Sequence, residues 1–241
     1  MDVLSPPEYP PVQPSEYPQI PTRTPPATLE KLHASCVSHD IQKFREILDS
    51  QSSSSEGFDI CDFSAIMIEA TKLDAVPFIR ELLDRGLPMD PLYALEAVKL
   101  RGKNALEVFL QQEGWNINQP ISELKPPVLG RGGDARKGQL LPHAIDRHAD
   151  NIAILRLLID NGADVNATIY ENHYPSRALF GFMGCGTPPR KAAELGKVDV
   201  VRYLVSKGAN LSIRDANGRT AREYAQLLNQ WDVIRVLEKG N

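Results

Sequence analysis

Few side chains in this sequence stand at spacings that catalysis requires. The stretch "GFMGCGTPPRK", residues 181–191, offers three glycines and a lysine. It lacks the Gly-x-x-x-x-Gly-Lys-Ser/Thr order whose backbone cradles a phosphate. The five histidines, at 33, 39, 143, 148 and 173, form no His-Glu-x-x-His pair and share no spacing with paired cysteines, so no metal is expected. Cys36, Cys61 and Cys185 are odd in number and far apart, which is no disulfide framework. Cys185 lies between two glycines, but nothing beside it would act as its base. The expectation is a protein that is not an enzyme and carries no cofactor.

Other residues suit recognition. The segment "TIYENHYPSRALFGFMGCG" at 168–186 concentrates Tyr170, Tyr174 and Arg177 with Phe180 and Phe182; these residue types are enriched in interface cores. Tyr170, Tyr174 and Arg177 are expected to be exposed for a partner, and the two phenylalanines to pack inward. "RGGDARKG" at 131–138 is read as a solvated loop. Near the N-terminus, "PPEY" (Pro6, Pro7, Glu8, Tyr9) resembles the Pro-Pro-x-Tyr ligand of WW domains. Its prolines hold an extended form that loses little entropy on docking, and Tyr9 would fill a neighbouring pocket. The near-copy "PSEY" at 14–17 lacks the paired prolines and should bind less well. Ser5-Pro6 and Thr24-Pro25 have the form of proline-directed phosphorylation sites.

Composition bounds the elements that position these residues. A 42% apolar fraction suffices for a core, and a net charge of −4 with pI near 5.8 argues against a nucleic-acid partner. No apolar run is long enough to span a bilayer, and no leader stretch is visible at the start. Cytoplasmic and/or nuclear location is expected. Nine of the nineteen prolines fall in residues 1–28, so this stretch is expected to be a disordered proline-rich arm with neither helix nor central strand.

From residue 29 onward one pattern recurs. "DNIAILRLLIDNGADVNA" (150–167) and "GKVDVVRYLVSKGAN" (196–210) carry paired apolar residues at the fourth, fifth, eighth and ninth places after their first residue. That is one stripe of a helix, written twice. Six such stripes follow the anchors His39, Asp74, Arg101, Asp150, Gly196 and Asn229. Five are preceded, four positions earlier, by Ser35, Ala70, Ala97, Ala192 or Ala225, small enough for close helix packing. The fourth unit has Asp146 there, so its first helix is expected to be shifted. Anchor intervals of 35, 27, 49, 46 and 33 place insertions at about 119–139 and 168–186.

"GTPPRKAAELGKVDVVRYLVSKGANLSIRDANGRT" resembles the ankyrin repeat: a Thr-Pro start, an Ala-Ala helix, glycine at the inter-helix turn, then Gly-Ala-Asn. Thr187 would cap its helix and Pro188 suits the first helical position. His33 stands where that family often has a histidine, which implies a structural role. The resemblance implies an all-α solenoid over 29–241, of about six helix-turn-helix units with β-turn fingers, the first three degenerate, ending in a polar cap. It further implies a concave face for a protein client, to which the finger residues Arg214 and Asn217 belong. The combined expectation is a monomeric adaptor: a client on the concave face, a WW-domain protein on the arm, a ubiquitin ligase carrying such domains being the natural choice, and no nucleic-acid or membrane partner. A dedicated chaperone or inhibitor of a single client with an inert arm is one alternative, and an enzyme with an unrecognised site is the other.

Overall fold

The computed structural model describes residues 24–52, 59–119, 121, 138–145, 152–168 and 186–240 of the chain. Twelve α-helices and one short 3-10 helix, Ile60–Phe63, lie in these residues, with no strand among them. Units one to three contribute α1 (Pro26–Val37) with α2 (Ile41–Ser52), α3 (Ser64–Lys72) with α4 (Val76–Asp84), and α5 (Pro91–Leu100) with α6 (Lys103–Leu110). Units four to six contribute α7 (Leu140–His143) with α8 (Ile152–Asp160), α9 (Pro188–Glu194) with α10 (Val198–Ser206), and α11 (Ala221–Leu227) with α12 (Trp231–Lys239). The first helices touch in sequence order from α1 to α11 and form one layer; the second helices form the other.

Each hairpin turns on its anchor residue. His39, Asp74, Arg101, Gly196 and Asn229 have φ of 57°, 50°, 65°, 68° and 55°, the left-handed region that reverses a helix end. In every case the next N–H donates to the carbonyl of the small residue four places before the anchor: Asp40 to Ser35, Ala75 to Ala70, Gly102 to Ala97, Lys197 to Ala192 and Gln230 to Ala225, at 2.8–2.9 Å. Those small side chains are at most 1% exposed, so the residue that accepts the turn's hydrogen bond also admits the neighbouring helix. The sixth anchor, Asp150, and Asp146 lie outside the described residues. Second helices end in the same way at Gly86, Gly162 and Gly208.

The stripes face the layer between the helix rows. Phe44, Leu48, Ile79, Leu82, Leu106, Phe109, Leu155, Leu158, Val201, Leu204, Val233 and Leu237 are all essentially inaccessible. Phe44 meets Phe78 edge-on at 5.1 Å across units one and two. The last stripe residue of units two to five (Leu83, Leu110, Ile159, Val205) is only partly buried, whereas its counterpart in unit one, Leu48, is fully buried.

Two expectations need correction. Helix was ruled out up to residue 28, yet α1 begins at Pro26, with Pro25 as its N-cap residue. Proline is compatible with that position, since the N–H it lacks would have no intrahelical partner. His33 stands mid-helix in α1 and is exposed. The last unit is polar along Asp232, Arg235, Glu238 and Lys239, but it also exposes Leu227 (57%) and Trp231 (64%).

His143 closes α7 among buried neighbours, and its Nε2 is buried without a hydrogen-bond partner. Burial, followed by Lys191 and Lys99, pushes its pKa down to about 3 from 6.5. The unfolded chain therefore binds one more proton than the folded chain between these values. Stability should fall as pH drops below about 6.5, by up to about 1.4 kcal/mol per pH unit, before carboxylates titrate. Urea titrations at pH 7.5 and 5.5 check this: His143→Phe should flatten the difference, and an unchanged slope would contradict it. At the turns, His39→Gly should gain about 0.5–1 kcal/mol and Gly196→Ala should lose about 1–2 kcal/mol. An added Cβ at Gly196 would also meet Gln230 Oε1 at 2.6 Å. The same titrations read both signs.

Candidate partner-binding surface

The first-helix layer is edged by the loops that join successive units, and these loops are tied to one another. Gly114-Trp115-Asn116-Ile117-Asn118 of unit three matches Gly162-Ala163-Asp164-Val165-Asn166 of unit four and Gly208-Ala209-Asn210-Leu211-Ser212 of unit five. In each, the third residue's Oδ1 accepts the N–H two places on, at 2.8–3.0 Å. The fifth residue then reaches the next unit: Asn118 Oδ1 accepts from Asp164 N–H at 2.9 Å, and Asn166 Oδ1 from Asn210 N–H at 2.7 Å. Asn118 Nδ2 also donates to the Gly162 carbonyl at 2.9 Å. A side-chain amide that both accepts and donates holds two fingers in register, spanning 46 and 44 residues of sequence.

Both long insertions leave the array from these fingers. Ile121 N–H donates to the Gly138 carbonyl at 3.2 Å, so the residues on either side of segment 122–137 meet, and the first helices of units three and four stay in contact. Segment 169–185 runs from the end of the fourth finger, at Thr168, to Gly186 just before α9. Lys191 Nζ donates to the Pro142 carbonyl at 2.7 Å, and Lys207 pairs with Asp160 at 2.8 Å. Arg156 lies over the Tyr203 ring, 5.3 Å from its centroid. Units four and five are therefore bridged at both helix layers.

The last finger is fastened by a buried charge pair. Asp215 Oδ1 accepts from Asn217 N–H at 2.9 Å and Arg219 N–H at 3.0 Å, closing the turn at Gly218, whose φ is 74°. Its Oδ2 faces Arg190 Nε at 3.3 Å with the Asp215 side chain fully buried. Arg190 stacks on the Tyr224 ring at 3.8 Å and pairs with Glu194 at 2.8 Å. A Cβ on Gly186 would strike Arg190 Cδ at 2.5 Å, so a larger residue where the insertion rejoins the array would displace the Arg190 side chain. Thr187 occupies the N-cap position of α9 but makes no capping hydrogen bond through its hydroxyl. Pro188 and Pro189 fill the first two helical positions, and the N2 donor is missing. Thr220 does what was expected of Thr187, through a full capping box with Glu223.

Of the residues singled out for partners, Arg214 and Asn217 are in the described residues and both are exposed on this finger. Arg214 Nη1 donates to the Gly218 carbonyl at 2.7 Å and to Glu223 Oε2 at 2.9 Å; Asn217 Nδ2 donates to Tyr224 Oη at 3.3 Å. The Thr220 N–H, then Arg214, hold the Glu223 carboxyl below its usual range. These two residues shape the finger while presenting it. Pro6, Pro7, Tyr9, Tyr170, Tyr174 and Arg177, with Ser5, Phe180, Phe182 and Cys185, lie outside the described residues. Residues missed in the sequence reading are the amides Asn118 and Asn166 and the Arg190–Asp215 pair. The signal for the amides was the matching place after the closing glycine. Among the described residues, no three His, Cys, Asp or Glu side chains are grouped as a metal ion would need. No described helix is long and apolar enough to cross a membrane.

Comparison with known proteins agrees with this geometry. The family profile described as Ankyrin repeat matches residues 191–216, which run from α9 to the last finger. The chain is similar to a probable E3 ubiquitin-protein ligase, XBOS33, of Oryza sativa subsp. japonica, at 32% identity over 78 residues. That stretch is 32% of this chain and 15% of the rice protein, so this chain matches only a small part of it.

Removing one partner of a buried ion pair costs about 3–5 kcal/mol. Asp215→Ala should therefore destabilise by about 3 kcal/mol or more, read by urea denaturation. Asn166→Ala should cost about 1 kcal/mol. A loss at Asp215 no greater than that at Asn166 would contradict this account of the finger.

Proposed function

The chain is an ankyrin-repeat protein, and from that premise we propose that it is a non-catalytic adaptor. Ankyrin repeats are protein-interaction modules, and the finer assignment is our reading. One partner, a protein client, sits on the face formed by the first helices and the fingers. A second partner carrying a WW domain takes the N-terminal Pro6-Pro7-Glu8-Tyr9 motif.

The observation that supports this reading most is where the insertions leave. Both do so at fingers, on the edge that borders the first-helix layer, and the stacking contacts continue past them. Added length is thus spent on surface while the frame stays fixed, which is how binding segments are mounted on rigid scaffolds. Tyr170, Tyr174 and Arg177 belong to the second insertion and would enlarge the client face. Two sites on one chain raise the effective concentration of one partner beside the other. The rice relative is named as a probable ubiquitin ligase; in this reading ligase chemistry reaches the client through the WW-domain partner. The protein acts as a monomer in the cytoplasm or nucleus, with no nucleic-acid or membrane partner.

Quantitative affinity capture from matched cell extract tests this, with the intact chain, Tyr9→Ala and a Tyr170→Ala/Tyr174→Ala double variant as baits. Tyr9→Ala should lose a WW-domain protein at least tenfold and keep the other partners, whereas the double variant should do the reverse. Identical partner sets from all baits would overturn the adaptor reading. A single client insensitive to Tyr9 would favour the chaperone or inhibitor alternative.

A further inference from the structure

The first two units carry a feature that neither stacking nor the fingers use. Between α1 and α3 lies a groove of about 330 Å³ lined by Leu29, Glu30, His33, Asp62, Ala65 and Ile66. Its floor is apolar, and two carboxylates stand on its rim. Beside it, Thr24 is completely buried. Thr24 N–H donates to Asp62 Oδ2 at 2.8 Å, and Thr24 Oγ1 accepts from Asp59 N–H at 3.2 Å. The arm's junction is thus fastened across 35–38 residues to the start of the second unit, beside the groove.

We propose that this groove is a docking site for the chain's own segment Tyr17–Arg23. Three observations select this occupant. The segment ends at Thr24, which shares Asp62 with the groove rim, so it needs no search to find the site. Arg23 is the only lysine or arginine in residues 1–23, and in sequence it directly precedes Thr24, whose N–H is bound by the rim carboxylate Asp62, with a second carboxylate, Glu30, on the same rim. Ile20 is the only aliphatic residue between Gln13 and Arg23 apart from proline. Four residues reach about 14 Å when extended, enough to bring Ile20 from Thr24 onto Leu29, Ala65 and Ile66. Flanking prolines at 18 and 21 limit the entropy lost on docking. Tethering supplies a local concentration on the order of millimolar, so even a weak contact is occupied.

The consequence is competition. The groove lies on the first-helix layer, so a client that reaches units one and two must displace Ile20 and Arg23. The Pro6-Tyr9 motif stays outside the docked segment. The test uses the full chain with labelled Ile, Leu and Val methyl groups, observed by NMR. A methyl–methyl nuclear Overhauser effect between Ile20 and Ile66 is expected. Ile20→Ser, Arg23→Glu and the array-side change Ala65→Arg should each shift the Leu29 and Ile66 methyls. Val201 and Val233, buried in units five and six, report that the fold is kept. A peptide of residues 14–23 added to the Ile20→Ser chain should restore the native shifts. Absence of the Ile20–Ile66 effect, with groove methyls unmoved in Ile20→Ser, overturns the proposal, as does a peptide that leaves those methyls unmoved. The affinity capture with Tyr9→Ala is independent of these readouts, so either proposal can fail without the other.

Discussion

Everything in this array depends on one backbone reversal. A left-handed residue ends the first helix of a unit, and the following N–H closes onto the carbonyl of a small buried residue four positions before it. Only when that residue is small can the adjacent helix approach, and only when the pair turns sharply do both stripes face the same layer. A single hairpin of this kind leaves its stripe in water; stacking is what removes it. That is why Ser35, Ala70, Ala97, Ala192 and Ala225 recur with so little variation in size while the surface residues change freely.

The same constraint explains how the array tolerates interruption. Lengthening a surface loop costs little conformational entropy, provided its ends already meet. Ile121 and Gly138 meet by a backbone hydrogen bond. At the second insertion, Gly186 rejoins directly over the Arg190 side chain, which is locked by Asp215 and Tyr224. Asn118 and Asn166 carry finger register past both insertions. The frame thereby stays continuous past the points where both insertions join it.

Much of the frame was legible in the residues, because its requirements are local. An anchor, a stripe and a closing glycine lie within thirteen consecutive residues, as from Gly196 to Gly208. The asparagine bonds and the Arg190–Asp215 pair were not legible, because they join residues 25 to 46 apart whose separation depends on loop length. Thr187 and Thr220 look alike in sequence; the difference is that Pro189 follows one and Glu223 completes a box with the other. Pro26 was misread because proline was treated as a helix breaker where it is a good helix start. For the partner surface the sequence supplies residue types alone, since most of its named members, Tyr170, Tyr174 and Arg177 among them, lie outside the described residues.

The central claim is that the stack is one cooperative body through both insertions. The two tryptophans, Trp115 in the third unit and Trp231 in the sixth, make a direct measurement possible. In a Trp231→Phe chain, urea unfolding followed by Trp115 fluorescence and by far-ultraviolet circular dichroism should give a single transition with coincident midpoints. A biphasic dichroism curve, with Trp115 reporting only one of its steps, would mean that the array parts at an insertion, and the continuous frame on which this account rests would be wrong.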